Sequence, residues 1–207
     1  MNSVYTYFKT DSPENKLIHK CLNYSQKADG YVCIIGLSAG NIMEDILINL
    51  LKLRIRYRII IAVDPYGSIP HYSSEKTIEN NHKFSNDVRN YSVSKFYNKL
   101  QHYNLEGTYI QLDSSEFVKL YSEGIPFYCG EKIKFNKYSF VILSGNNNIN
   151  DRIIEFEFFR ERMDKGSIII FTDTDRYPHV EKIHSYILSN NFEEFSRANS
   201  FIAYCKC

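Results

Sequence analysis

Short apolar segments that alternate with longer helical patterns constrain the fold of this chain most. The first of them, YVCIIG at residues 31–36, is almost continuously apolar. A strand of this kind is typical of a sheet that is covered on both faces. Short β-rich runs separated by segments of helical periodicity indicate βα units, which assemble into a parallel sheet. We therefore predict an α/β fold.

The order of the segments predicts five βα units followed by a terminal hairpin. The predicted strands are 31–36, a run that ends at Asp64, 108–113, 139–145 and 167–173, and the predicted helices are 41–53, 92–103, about 115–122, 150–163 and 178–189. Residues 125–137 are predicted to form an extra hairpin. The last segment, 192–207, contains two strand-like runs with a short connection, which must pair antiparallel. The prediction is a Rossmann-like, doubly wound, mostly parallel seven-stranded sheet with a terminal antiparallel strand.

Length and composition bound the function. The chain has 207 residues, 43% of them hydrophobic and 15% aromatic, which is enough for one domain with a substantial core. We expect residues 31–207 to form that domain and residues 1–30 to be an N-terminal extension that packs on it. The 25 basic and 24 acidic residues give a net charge of +1, which disfavours a nucleic acid held through phosphate contacts.

Cysteine use and hydropathy indicate a compartment. No apolar run approaches the roughly 20 residues needed to cross a bilayer, so no membrane association is expected. The N-terminal residues lack a basic region followed by an apolar run. The 5 cysteines form no CxxC pair, and their odd number favours free thiols in a reducing environment. We expect a cytoplasmic protein, with Cys205 and Cys207 alternating on a terminal strand.

A glycine-containing loop follows the first predicted strand. It reads GLSAGN, with Gly36 and Gly40 flanking Ser38 and with Asn41 opening the next helix. Glycines at this place allow backbone N–H groups to approach a ligand, and the helix presents its positive N-terminus. The loop is neither a full GxGxxG motif nor a phosphate-binding P-loop. A plain tight turn is the alternative.

Acidic residues end the next two predicted strands. Asp64 ends the second, where an acid commonly accepts hydrogen bonds from the hydroxyls of an adenosine ribose. Asp113 and Ser114 end the third, where they could accept from the adenine amino group. The alternatives are a strand-end carboxylate for Asp64 and a helix cap for Asp113. The three loops should converge at one edge of the sheet, which is more specific than any one of them.

Five segments resemble class I S-adenosylmethionine-dependent methyltransferases, most closely the macrocin O-methyltransferase-like group. They are CIIGLSAGN, IIAVDPYG, IQLDSSEF, SFVILSGNNN and GSIIIFTDTD. The resemblance implies the predicted fold, S-adenosylmethionine as cofactor and O-methylation of a small molecule or sugar. It implies a cofactor site formed by residues of the loops after the first four strands, namely Gly36, Ser38, Gly40, Asn41, Asp64, Asp113, Ser114 and Ser144.

The chain departs from that family at two places. Ile34 stands where the family usually has an acid near the cofactor's amino group. Ser144 and Asn146 stand where the family tends to have metal-binding carboxylates, so no metal is expected, because hard divalent cations favour charged oxygen ligands. Methyl transfer needs mainly positioning. A general base would assist it, and Asp173 and His179 are the candidates.

Other readings stay open at this point. A catalytically silent methyltransferase-like binding or scaffold domain is the main alternative. A nicotinamide-dependent reductase is less favoured, because the chain lacks GxGxxG. A nucleic-acid methyltransferase is disfavoured, because such enzymes usually carry a D/NPPY-type motif for a flipped base, and the chain has only DPYG, at the second strand, which is the wrong place. Residues 71–90 are a candidate lid with Tyr66, Tyr72 and Phe84 as contacts. A homodimer is a candidate assembly.

Overall fold

The computed structural model describes residues 11–37, 41–55, 59–65, 86–129, 131–145, 148–176 and 180–207. The strands are β1 (Tyr31–Ile35), β2 (Ile60–Val63), β3 (Gly107–Ile110), β4 (Ile125–Cys129), β5 (Glu131–Phe135), β6 (Tyr138–Leu143), β7 (Ile168–Phe171), β8 (Phe192–Ala198) and β9 (Phe201–Lys206). The helices are α1 (Pro13–Ser25), α2 (Asn41–Lys52), α3 (Asn86–Tyr103), α4 (Ser114–Leu120), α5 (Ile149–Arg160) and α6 (Val180–Leu188).

Within the described residues, seven strands form one sheet in the order β3-β2-β1-β6-β7-β9-β8. Neighbours from β3 to β7 pair parallel, whereas β9 is antiparallel both to β7 and to β8. The predicted fold class is confirmed, including the terminal antiparallel strand. Strands β4 and β5 pair antiparallel in a separate hairpin, as predicted.

The sheet is covered on both faces, as the apolar strands require. Along β1, Val32 and Ile34 belong to one buried cluster, which the apolar faces of α1, α2 and α3 complete. Cys33 and Ile35 belong to a second cluster, to which α4, α5, α6 and the β4–β5 hairpin contribute. Successive strand residues point to opposite faces, so a strand between two helical layers has no position left for polar side chains. Polar residues are therefore confined to the strand ends.

The N-terminal helix α1 was not identified from the sequence. Its start carries a recognisable signal, because the Ser12 side chain accepts a hydrogen bond from the Asn15 N–H over 3.1 Å and Pro13 occupies the first turn. Leu17, Ile18 and other buried side chains of α1 join the cluster that α2 also lines. The division of the chain at residue 30 stays a prediction.

Two further element boundaries differ from those predicted. Helix α3 begins at Asn86 rather than Ser92, inside a polar segment whose pattern gave no assignment. Strand β3 ends at Ile110 rather than Asp113, because Asp113 has already left the sheet to cap α4.

A buried carboxyl group links the first two helices. Asp45 on α2 is 3% exposed, and its Oδ1 accepts a hydrogen bond from the Asn15 side chain on α1 over 2.6 Å. Burial raises the pKa of Asp45 to about 6, with Glu44 and Glu14 adding to the rise and Asn15 and Lys52 opposing it. Ionisation of this group therefore costs the folded state more than the unfolded state.

We expect Asp45→Asn to stabilise the protein at pH 8. Because the folded pKa lies above the unfolded one, wild-type stability falls as pH rises from about 4 to about 6, by up to about 3 kcal/mol at about 1.4 kcal/mol per pKa unit. An asparagine stays neutral and can still accept from Asn15. Urea unfolding at pH 4 and pH 8 measures this, with the exposed Asp164→Asn as control. A variant less stable than wild type at pH 8 would refute the assignment.

Candidate active site

The polar strand ends form one row along the carboxyl edge of the sheet. Backbone hydrogen bonds of 2.8–3.2 Å extend the ladder one residue past four strands, through the N–H groups of Asp64, Gly36, Ser144 and Thr172. At about 4.8 Å between neighbouring strands, the row is about 14 Å long. The strand order reverses between β1 and β6, in the middle of the row. In open α/β sheets a ligand crevice forms at such a point.

Gly36 lies at the centre of this row and is required by the protein's own backbone. Its φ is +84°, and a Cβ built there would lie 2.6 Å from the backbone of Ser144 and Gly145. The sequence suggested that a glycine here admits a ligand, and this stays a prediction. The structure shows that its missing side chain also lets the loop after β6 pack against the turn after β1, which draws the two loops together.

The Asp64 side chain is hydrogen-bonded to the turn after β1, which contains Gly36. It is 9% exposed, and its Oδ2 accepts a hydrogen bond from the Leu37 N–H over 2.6 Å. The Tyr109 hydroxyl donates to the Asp64 backbone carbonyl over 2.8 Å. A carboxylate has about four acceptor positions, so the Leu37 bond is compatible with acceptance from ligand hydroxyls. The sequence predicted Asp64 as a ligand group but gave no signal for its contact with Leu37.

Asp113 caps helix α4. Its carboxylate accepts from the Ser115 N–H over 2.8 Å, and the Glu116 carboxylate accepts from the Asp113 N–H over 3.1 Å. The Asp113 side chain also accepts from the Glu116 N–H, and this bond and the one that the Glu116 carboxylate accepts form a capping box. The helix-cap alternative is thus present in the structure, while a contact of Asp113 or the buried Ser114 with adenine stays a prediction.

Asp173 follows β7 at the other end of the row. It is partly exposed and has a φ of 56°, a left-handed conformation that few residues other than glycine adopt. The Thr172 hydroxyl donates to its Oδ2 over 3.2 Å. Strained backbone positions of this kind are concentrated at functional sites. The carboxylate is therefore placed at the edge where an acceptor could reach it.

Several predicted residues lie outside the described residues. These are Ser38, Gly40, Tyr66, Asn146, His179, the side chain of Asn41 and residues 71–85 of the candidate lid predicted over 71–90. Across the described ranges, no group of three or more His, Cys, Asp or Glu side chains is arranged to hold a metal ion. Among the described helices, none has the length and apolarity that a membrane span requires.

Sequence reasoning missed a buried charged pair below this edge. Arg152 and Glu155 on α5 are 0% and 1% exposed. A Cβ on Gly145 would lie 3.8 Å from the Glu155 Oε1, so the carboxyl group lies directly beneath the loop after β6. A charged pair three residues apart on a helix usually marks a solvated face, and the sequence therefore gave no signal for this one.

Comparison with known proteins connects this architecture to methyltransferases. No family model and no curated protein matches the chain. Among solved structures, the calicheamicin methyltransferase CalS11 superposes with a TM-score of 0.69 at 12% identity, over 93% of this chain and 78% of that one. The O-methyltransferase NovP gives 0.63 at 12% identity, over 94% and 79%. TomG from Streptomyces achromogenes, in complex with SAM, gives 0.55 at 10% identity, over 93% and 78%. The chain shares the fold of these enzymes.

We expect Gly36→Ala to destabilise the protein more than Gly166→Ala. Both glycines have a φ of +84°, but a Cβ at Gly166 meets nothing within 4 Å, whereas one at Gly36 meets backbone at 2.6 Å. The Gly166 variant therefore measures the left-handed strain alone, about 1–2 kcal/mol. The Gly36 variant should lose at least about 1 kcal/mol more, as overpacking does. Thermal unfolding of both variants tests this, and equal losses would contradict the packing contact.

Proposed function

We propose that the protein is an S-adenosylmethionine-dependent methyltransferase that O-methylates a small molecule or a sugar. One observation carries the proposal. The Asp64 carboxylate, 9% exposed, is held against the turn after β1 by the Leu37 N–H at 2.6 Å. This turn lies next to the reversal of strand order, in a fold shared with CalS11, NovP and TomG.

We propose that the residues along the edge receive the parts of the cofactor in order. Asp64 would accept from the ribose hydroxyls, which a carboxylate does well because such hydrogen bonds are charge-assisted. Asp113 and Ser114, one strand further out, would lie by the adenine. The methionine part would then extend in the other direction along the row, over Gly36 and towards Ser144. Ser38, Gly40 and Asn41 remain predicted contributors from the same loop.

Methyl transfer requires mainly that the acceptor hydroxyl be positioned against the cofactor. S-adenosylmethionine, when bound, supplies a methyl group on a positively charged sulfur, which an acceptor oxygen attacks in line. The protein would hold the acceptor hydroxyl against the cofactor and receive its proton. Asp173 and His179 are our candidates for that base. The Asp173 carboxylate lies at the end of the row opposite to Asp113, which is the side from which an acceptor would approach.

The residues present do not favour metal-assisted transfer. Ser144 and Asn146 follow β6 and offer neutral oxygens, and Asp173, which follows the neighbouring strand β7, offers a carboxylate. Neutral donors compensate poorly for the dehydration of Mg²⁺. We therefore propose transfer without a divalent cation.

We take the proposed class of methyl acceptor from the enzymes that share this fold. One structure of CalS11 is described as a TDP-rhamnose 3'-O-methyltransferase, and TomG as an enzyme of tomaymycin synthesis. We extend only the shared class, a small molecule or a sugar, to this chain. The net charge of +1 agrees with this class better than with a nucleic acid. No observation favours a silent domain over an enzyme.

We also propose a cytoplasmic location and a homodimeric assembly. Cys21, Cys33 and Cys205 are buried free thiols in the described part of the chain, and Cys207 is an exposed one. Free thiols suit a reducing compartment, which supports a cytoplasmic location. A homodimer remains our proposal for the assembly, and sedimentation velocity would test it.

We expect Asp64→Asn to weaken S-adenosylhomocysteine binding at least tenfold. The amide can accept through one oxygen only and carries no charge, so it replaces charge-assisted bonds worth about 1.5–3 kcal/mol with weaker ones. Titration calorimetry with wild type, Asp64→Asn and Asp164→Asn measures the difference. Asp164 lies in an exposed ion pair with Lys137 and should have no effect. Equal affinities for wild type and Asp64→Asn would remove Asp64 from the site.

We expect Asp173→Asn to lower methyl transfer about 100-fold while leaving S-adenosylhomocysteine affinity unchanged, because a general base contributes in this range. A panel of nucleotide sugars and small hydroxyl compounds, assayed with methyl-labelled S-adenosylmethionine, supplies the rate. Asp175→Asn, an exposed neighbour, is the matched control.

Wild-type activity should survive EDTA. Activity that EDTA abolishes and Mg²⁺ restores would overturn the metal-free proposal.

A further inference from the structure

The Arg152–Glu155 pair places two charged side chains in the protein interior, where they lose their hydration. Both side chains are essentially inaccessible, at 0% and 1% exposed, and the Arg152 Nη1 lies 3.7 Å from the Glu155 Oε2. A buried ion pair commonly costs as much in lost hydration as it gains in attraction, and apolar replacements of similar volume are often neutral or stabilising. Stability alone therefore does not account for a charged pair at this position.

Glu155 lies beneath two parts of the proposed cofactor site. Its Oε1 would be 3.8 Å from a Cβ on Gly145, in the loop after β6. The Ser114 hydroxyl, at the start of α4, is near enough to lower the pKa of the Glu155 carboxyl. Burial raises the pKa of the Cys33 thiol on β1, and Glu155 adds to the rise. One carboxyl group thus lies close to the elements that follow β3 and β6.

The charges around Glu155 come from its own helix α5 and from the start of α4. Burial raises the pKa of Glu155, the Arg152 guanidinium and the Ser114 hydroxyl lower it, and Asp151 and Asp113 raise it. In the described part of the chain, neither carboxyl oxygen has a partner at full hydrogen-bond geometry, although the Ser114 hydroxyl is close enough to act on the carboxyl group. A buried polar group in this condition requires an explanation, and a functional role is one. The loop after β6 and the start of α4 are the groups within its reach.

We infer that Glu155, balanced by Arg152, is a positioning residue that holds Ser114 and the Gly145 loop in the arrangement that receives the nucleoside half of the cofactor. The inference rests on the proposed function. Glu155 is below the surface of the site and acts through Ser114 and Gly145, without touching the cofactor itself. Replacing the pair should therefore change affinity without an equal loss of stability.

The test is the double variant Arg152→Met/Glu155→Leu, titrated with S-adenosylhomocysteine. Removing both charges together avoids an uncompensated buried ion. We expect a melting temperature within a few degrees of wild type and an affinity at least tenfold weaker. The matched control is Arg160→Met/Glu157→Leu, which removes another ion pair three residues apart on α5, whose side chains are 33% and 29% exposed and whose N···O distance is 2.6 Å. Its affinity should equal that of wild type.

Plain adenosine, titrated beside S-adenosylhomocysteine, identifies the half of the site affected. Positioning of the nucleoside predicts the same fold loss for both ligands. Unchanged affinities in the folded double variant would overturn the inference and leave the proposed function intact, as would a loss for S-adenosylhomocysteine alone. If this double variant does not fold, Arg152→Leu/Glu155→Met, which also removes both charges, is titrated in its place, with the same expected loss. A wild-type protein that binds neither ligand refutes the proposed function and this inference together.

Discussion

The hydrogen bond from the Leu37 N–H to the Asp64 carboxylate, 2.6 Å long, ties the ends of β1 and β2 together at the edge of the sheet. It determines where the turn after β1 lies, and Gly36 in that turn packs directly on the backbone of Ser144 and Gly145. Through these two contacts the loops after β1, β2 and β6 become one surface. The proposed cofactor site is this surface, so its geometry depends on a bond within the protein.

The buried sheet explains why function is concentrated there. Strands β1, β2, β6 and β7 have apolar residues on both faces and helices on each side, so polar groups fit only past their ends. Parallel strands bring those ends to the same edge. Asp64 and Asp173 are thereby placed about 14 Å apart or slightly more, at about 4.8 Å per strand. A ligand that spans this row would contact residues far apart in the chain.

The fold could be predicted because its signal is local. Each apolar run of β1, β6 or β7 identifies a buried strand without knowledge of its neighbours, and a short connection requires β8 and β9 to be antiparallel. The candidate site was predictable in its residue types for the same reason. The reason for Gly36 was not, since it depends on the approach of a loop more than 100 residues later. Nor was the burial of Glu155, because on a helix the sequence shows which residues share a face but not how deeply the face is covered. Helix α1 was missed although Ser12 and Pro13 marked its start.

A crystal structure with bound S-adenosylhomocysteine would test the central claim most directly. The account predicts that the ligand lies along the carboxyl edge of the sheet, with its ribose hydroxyls within 3.2 Å of the Asp64 carboxylate and its adenine beside the start of α4. The Leu37 bond to Asp64 should persist in the complex. A ligand bound elsewhere, or one whose ribose does not contact Asp64, would contradict the account.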